Sequence, residues 1–196
     1  MSDTPRWFSE TREGHSQWYV ERFRALAAQG ADLEGEARFV DALVPRAARV
    51  LDAGCGTGRL AWALHERGHD VVGVDVDPVL IEAAQADRPG PTYQVADLAS
   101  LALEGEPFDL IVCAGNVMVF LAPDSERAVL ERLRAHLRPG GRLVIGFRRE
   151  PQTYSYDRFD ADAEAAGLHP EFRFGTWHLD PFTEESDFAV NVLRAL

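Results

Sequence analysis

The segment from Arg49 to Asp75, RVLDAGCGTGRLAWALHERGHDVVGVD, constrains this chain more than any other. Val50-Leu51 is a short apolar run, and the turn Asp52-Ala53-Gly54-Cys55-Gly56-Thr57-Gly58 follows it. Leu60, Ala61 and Leu64 then recur at helical spacing, and Gly68 closes that stretch. Val71-Val72-Gly73-Val74 is a second apolar run, ended by Asp75. Strand, turn, helix and strand make a βαβ unit. A strand that turns directly into a helix needs backbone angles that glycine reaches cheaply. A turn without Cβ atoms also lets a ligand touch the backbone, with the first N–H groups of the helix facing it. Asp75 lies 21 positions after Gly54, at the tip of the neighbouring strand, where a carboxylate meets a ribose.

The glycine spacing selects the nucleoside. The dinucleotide fingerprint is G-x-G-x-x-G. Aligned on Gly54 and Gly56, its third glycine falls on Arg59, whereas the third glycine here is Gly58. Asp52 in the turn would repel a pyrophosphate and suits an ammonium group. Counted from Asp52, the pattern D-x-G-x-G-x-G resembles motif I of the class I S-adenosylmethionine-dependent methyltransferases. The resemblance extends over roughly residues 35–196 and includes Leu137-Arg138-Pro139-Gly140-Gly141-Arg142-Leu143, a common phrase in that family.

The rest of the chain reads as further βα units. Residues 1–14 are a polar arm, and Tyr19, Phe23 and Leu26 give an amphipathic helix from Ser16 to about Ala28. A second helix spans about Glu34 to Val44. Asp77 as N-cap and Pro78 at the first helical position open a third, ending near Asp87. Thr92–Val95 is a short strand, and Phe108–Cys113 (FDLIVC) has the continuous apolar run of a strand buried on both faces. Asp124 caps a helix that Pro139-Gly140-Gly141 ends, and Leu143–Phe147 is a fifth strand. Residues 148–158 read as a polar loop carrying Tyr154 and Tyr156, and Asp160–Ala166 as a short helix. Glu171–His178 and Asp187–Leu193 alternate, as an antiparallel pair does. Together these predict an α/β, doubly wound domain with helices on both faces of a mostly parallel sheet. The resemblance adds that the sheet is seven-stranded, with the antiparallel C-terminal strand pair. It divides the chain into an N-terminal arm and lid helix, 1–34, and a single Rossmann-like domain, 35–196.

Ligands of open α/β sheets bind outside the carboxyl ends of the strands. The turn Gly54–Gly58, Asp75, Asp97 and Ala114–Asn116 all fall at such ends. Chemistry and the resemblance together assign roles for S-adenosylmethionine and its product S-adenosylhomocysteine. Gly54 and Gly56 admit the methionine part, and Asp52 and the Ala114 carbonyl meet its ammonium. Asp75 accepts both ribose hydroxyls, and Val76 packs on the adenine. Asp97 accepts from the adenine amino group, and the Leu98 N–H meets a ring nitrogen. Trp18 and Tyr19 are core residues or part of a lid over the cofactor. Asp75 and Asp97 also fit plain capping roles, and Asn116 fits either a turn or a pocket contact.

The implied reaction is in-line methyl transfer to a small molecule in a desolvated pocket, needing no metal. A catalytic base is not legible: His15, Tyr154 and His178 lie in segments that could border the pocket, and His65, His69, His136 and His169 read as structural. The net charge of −12, from 20 basic and 32 acidic side chains, disfavours nucleic acid or an anionic membrane as partner. Ala114-Gly115-Asn116-Val117 also differs from the Asn/Asp-Pro-Pro-aromatic motif of enzymes that methylate amino groups of DNA bases. Cys55 and Cys113 suit a reducing cytosol, and no apolar run marks a signal or a membrane span, so a cytoplasmic protein is expected. Two other readings share the turn. One is a catalytically silent S-adenosylmethionine-binding regulatory or partner protein. The other is an NAD(P)-dependent reductase, against which stand Arg59 and the absence of any Lys for a Tyr-x-x-x-Lys pair.

Overall fold

The apolar runs become strands of one sheet. A computed structural model describes residues 4–149 and 154–196. Its strands are β1 (Arg49–Ala53), β2 (Asp70–Asp75), β3 (Thr92–Val95), β4 (Phe108–Cys113), β5 (Leu137–Arg148), β6 (Leu168–Phe174) and β7 (Phe188–Ala195). They form a seven-stranded sheet in the order β3-β2-β1-β4-β5-β7-β6. The pairs from β3 through β5 are parallel, and β7 runs antiparallel between β5 and β6. The expected architecture therefore holds, including the reversed terminal pair. The direction of winding switches between β1 and β4, and the crevice outside their carboxyl ends is where such sheets bind ligands.

The helices are α1 (Arg6–Ser9), α2 (His15–Ala28), α3 (Gly35–Leu43), α4 (Arg59–His65), α5 (Pro78–Asp87), α6 (Val117–Phe120), α7 (Glu126–His136) and α8 (Tyr156–Ala165). Strand side chains alternate between two apolar layers. Leu51, Ile111 and Leu143 pack with Leu130, Leu133 and Phe159 on one face. Val50, Val112 and Val144 pack with Val40, Leu60 and Leu64 on the other. Covering both faces explains why FDLIVC is apolar throughout, and its one charge, Asp109, accepts from the Arg49 N–H at 2.7 Å.

Several boundaries differ from the sequence expectation. The polar arm contains a helix, Arg6–Ser9, anchored by Trp7, whose ring meets those of His15, Tyr19 and Phe120. Asp124 does not cap α7: it sits in the left-handed region at φ 63, and the helix begins after Ser125. Pro139-Gly140-Gly141 lies inside the irregular start of β5, where the register with β4 shifts. Residues 150–153 of the expected polar loop lie outside the described residues. Beyond them Tyr154 is fully buried against Phe147 and Phe159, and α8 starts at Tyr156. Burying these rings outweighs the polar residues around them. The edge strand runs from Leu168 to Phe174, and its predicted continuation to His178 is a turn.

Gly58 shows how tightly the first turn is packed. It precedes α4 at φ 73, and a Cβ there would lie 2.5 Å from the Tyr93 hydroxyl and 2.9 Å from the Ala84 methyl. We expect Gly58→Ala to lose about 2–4 kcal/mol from the left-handed backbone and overpacking combined. Adding Tyr93→Phe, which removes the hydroxyl, should recover part of that loss relative to Tyr93→Phe alone. Urea titrations of the four proteins in this cycle check it, and an unshifted Gly58→Ala midpoint contradicts it.

Candidate functional site

A cavity of about 430 Å³ opens at the carboxyl ends of β1, β2 and β4. That is the size of a small-molecule pocket. Gly54 and Gly56 line it from the first turn, Asp75 and Val76 from the end of β2, Asp97 and Leu98 from the segment after β3, and Ala114 from the end of β4. Trp18 and Tyr19 line it from α2. Topology thus brings together nine of the ten expected cofactor residues. Asp52 is the exception.

The turn is fixed by backbone bonds to β2. The N–H groups of Gly54 and Cys55 both donate to the Val74 carbonyl, at 2.8 and 2.9 Å. Gly54 sits at φ 83, and a Cβ on it would fall 2.3 Å from Val117 Cγ2, so the protein's own packing already demands glycine there. The Gly56 N–H points to Asp75 Oδ2 at 2.8 Å, and the Asp77 N–H to Asp75 Oδ1 at 3.0 Å. Asp75 thus ties the glycine turn to the loop after β2 and also lines the cavity.

Asp52 has a different local task. It is 1% exposed, and its Oδ2 accepts from the Ala61 N–H at 3.0 Å in the first turn of α4. The helix start is thus satisfied in part by Asp52 and does not turn all its first N–H groups to a ligand. Burial pushes Asp52 up to about 7, against the opposing pull of Arg59 and the Ala61 N–H. Burial likewise lifts Asp75 to about 6, despite the N–H donors of Asp77, Gly56 and Val76. The thiols of Cys55 and Cys113 are buried and raised by desolvation, which makes them unreactive.

Asp97 takes the capping role. Its Oδ1 accepts from the Ala99 N–H at 2.9 Å, capping the short 3₁₀ turn Leu98–Ser100, and the residue still lines the cavity. Asn116 turns the chain at φ 64, its Oδ1 accepts from the Arg148 N–H at 2.8 Å, and it faces the cavity.

The first two helices roof the site. Trp7 Nε1 donates to Asp77 Oδ2 at 2.7 Å, and Ser16 Oγ donates to the same oxygen. Asp77 Oδ1 meanwhile caps α5 by accepting from the Val79 N–H at 2.9 Å. Tyr19 stacks over the turn, close enough that a Cβ on Gly56 would touch its ring at 3.5 Å. Sequence reasoning missed Trp7, Phe23, Val117 and Phe120 as wall residues. The Trp7-Phe8 pair inside a polar arm was the available signal for the first of these. Of the three possible bases, His15 lines the cavity. Tyr154 belongs to the core and His178 to the turn after β6, where its N–H donates to Thr176 Oγ1.

Known proteins resemble this chain in the same region. Residues 50–141 match a family described as a methyltransferase domain. A TehB-like S-adenosylmethionine-dependent methyltransferase from Corynebacterium glutamicum superposes with a TM-score of 0.89 at 44% identity, covering 94% of this chain and 100% of its own. Magnesium-protoporphyrin O-methyltransferase of Rhodobacter capsulatus is 43% identical over 89 residues, which is 42% of this chain and 38% of that one. A dTDP-4-amino-2,3,4,6-tetradeoxy-D-glucose N,N-dimethyltransferase of Saccharopolyspora spinosa is 32% identical over 151 residues, 74% of this chain and 59% of that one. The chain thus spans about half the length of the curated relatives it matches. A glycine turn shaped by its own packing, a carboxylate ending β2, a sheet reversed at its last strand and a full-length structural relative at 44% identity converge on one family: the chain belongs to the class I S-adenosylmethionine-dependent methyltransferases.

Proposed function

We propose that the chain transfers a methyl group from S-adenosylmethionine to a small-molecule acceptor and releases S-adenosylhomocysteine. Asp75 carries this assignment: a buried carboxylate that lines a roofed cavity beside the glycine turn, with two acceptor oxygens suited to a vicinal diol. Val76 and Leu98 offer apolar contact to an adenine, Asp97 offers an acceptor to its amino group, and the Leu98 N–H suits a ring nitrogen. Gly54, Gly56 and the Ala114 carbonyl suit the methionine part. Asp52, behind the turn, acts on its ammonium through the local field. Residues up to 34 form the arm and lid, with Trp18 and Tyr19 closing on the cofactor, and residues 35–196 form the domain beneath.

The bound cofactor supplies a methyl group on a sulfonium, a good leaving group. The protein's own task is then to hold the acceptor in line and keep water out. A cavity of about 430 Å³ roofed by α1 and α2 supports a small acceptor over a polymer. The charge of −12 supports the same choice, since it repels nucleic acid and anionic membranes. Among the described residues no helix is long and apolar enough to cross a membrane, and both thiols are free, which suits the cytoplasm.

Titration calorimetry should detect binding of S-adenosylmethionine and S-adenosylhomocysteine, with Asp75→Asn weakening it about tenfold or more through loss of charged hydrogen bonds. Absence of binding overturns the proposal. Binding without turnover across a broad set of labelled-methyl assays leaves a silent binder instead.

The pH dependence follows from Asp75. Its carboxyl is lifted to about 6, so the diol-accepting ionised form is lost below that value. Kd at about pH 5 should therefore be roughly tenfold weaker than at about pH 8, and Asp75→Asn should flatten the dependence. The unliganded protein behaves oppositely. Folded-state values raised to about 6 for Asp75 and about 7 for Asp52 favour the protonated fold, so its stability falls as pH climbs from the ordinary carboxylate range through those values. Thermal melts with and without cofactor across that range check both signs.

A further inference from the structure

Two titratable side chains of the cavity have no part in holding the cofactor as assigned above: His15 and Arg22. They lie seven positions apart on α2, on one face and two turns apart, with Trp18 between them. The His15 ring meets Trp7 edge-on, with centroids at 4.8 Å, and lies 5.3 Å from Trp18. Its ring nitrogens make no hydrogen bond among the described residues. Arg22 lies over Trp18 at 5.4 Å and Phe23 at 6.0 Å, with no carboxylate partner among the described residues. The nearby Arg24 and Arg59 are by contrast held by Asp87 and Glu36. In a chain with 20 basic and 32 acidic side chains, an unpaired guanidinium at a cavity wall is available for an anionic ligand group.

The other polar groups of the cavity are committed. Asp75 accepts from Gly56 and Asp77, Asp97 from Ala99, and Asn116 from Arg148. Burial raises the Tyr19 hydroxyl, which keeps its proton. Asp77, beneath Trp7 and Ser16, is taken up by those two donors and by the cap of α5. With Asp75 and Asp97 assigned to the cofactor, the His15 imidazole is the remaining basic nitrogen that faces walls made of Trp7, Trp18, Phe23 and Phe120.

Building on the methyl-transfer reading, we propose that the acceptor is an aromatic hydroxy acid. Arg22 holds its carboxylate, the aromatic walls take its ring, and His15 receives the hydroxyl proton. The acceptor oxygen gains the methyl carbon as the carbon–sulfur bond breaks, with that bond's pair left on sulfur. The O–H pair stays on oxygen, and the proton passes to a ring nitrogen of His15 and then to solvent.

The full chain is first tested for S-adenosylhomocysteine binding, and failure there removes the methyltransferase reading itself. The loaded protein is then titrated with 2-, 3- and 4-hydroxybenzoate and with their methyl esters. At least one acid should bind about tenfold tighter than its ester, a preference that Arg22→Gln abolishes without changing S-adenosylhomocysteine affinity. Equal binding of all acids and esters, or an unaltered preference in Arg22→Gln, overturns the proposal. With saturating S-adenosylmethionine, the preferred acid should yield an O-methyl product. His15→Gln should then lower kcat about a hundredfold with KM little changed. No O-methyl product from any isomer, or a His15→Gln variant with full kcat, overturns the assignment of His15.

Discussion

Three carboxylates buried at the carboxyl edge of the sheet hold this site together, each satisfied by backbone donors of the segment it shapes. Asp52 fastens the start of α4 through Ala61, Asp75 fastens the glycine turn through Gly56, and Asp77 starts α5 through Val79. A buried carboxylate without donors is costly, so each side chain dictates the path of its neighbouring loop. Asp75 and Asp77 are linked in turn by the Asp77 N–H. The loops that carry the ligand-facing groups are thereby specified by polar bonds, while the sheet beneath is specified by apolar packing on both faces.

The two kinds of interaction act on different scales. The apolar layers place the carboxyl ends of β1, β2 and β4 side by side. The carboxylates then set atoms within those ends to hydrogen-bond precision. Desolvation raises Asp52 and Asp75, and the nearby donors and Arg59 restrain the rise. The site is consequently prepared for a ligand that brings hydroxyls and positive charge, which would stabilise the ionised forms.

The sheet was legible in the sequence because its signals are local. Apolar runs, the D-x-G-x-G-x-G turn and the Asp77-Pro78 helix start each fit within one window, and the structure follows them closely. Misread segments depend on partners distant in sequence. Trp7 is ordered by Asp77 and by the Phe120 ring, and Tyr154 by Phe147, so neither contact leaves a periodic mark in its own stretch. Asp52 was read by its place in the motif, and its use by Ala61 appears only once the helix is built onto the turn. The wall residues Phe23 and Phe120 come from separate helices, and their meeting over one cavity is a property of the packed chain.

The shared acceptor beneath the roof has a mechanical consequence. Asp77 Oδ2 takes donors from both Trp7 and Ser16, on two different helices, while the other oxygen holds the start of α5. The covering helices α1 and α2 therefore share one acceptor atom, so loss of the Asp77 carboxylate would untie both of them and the start of α5 at once.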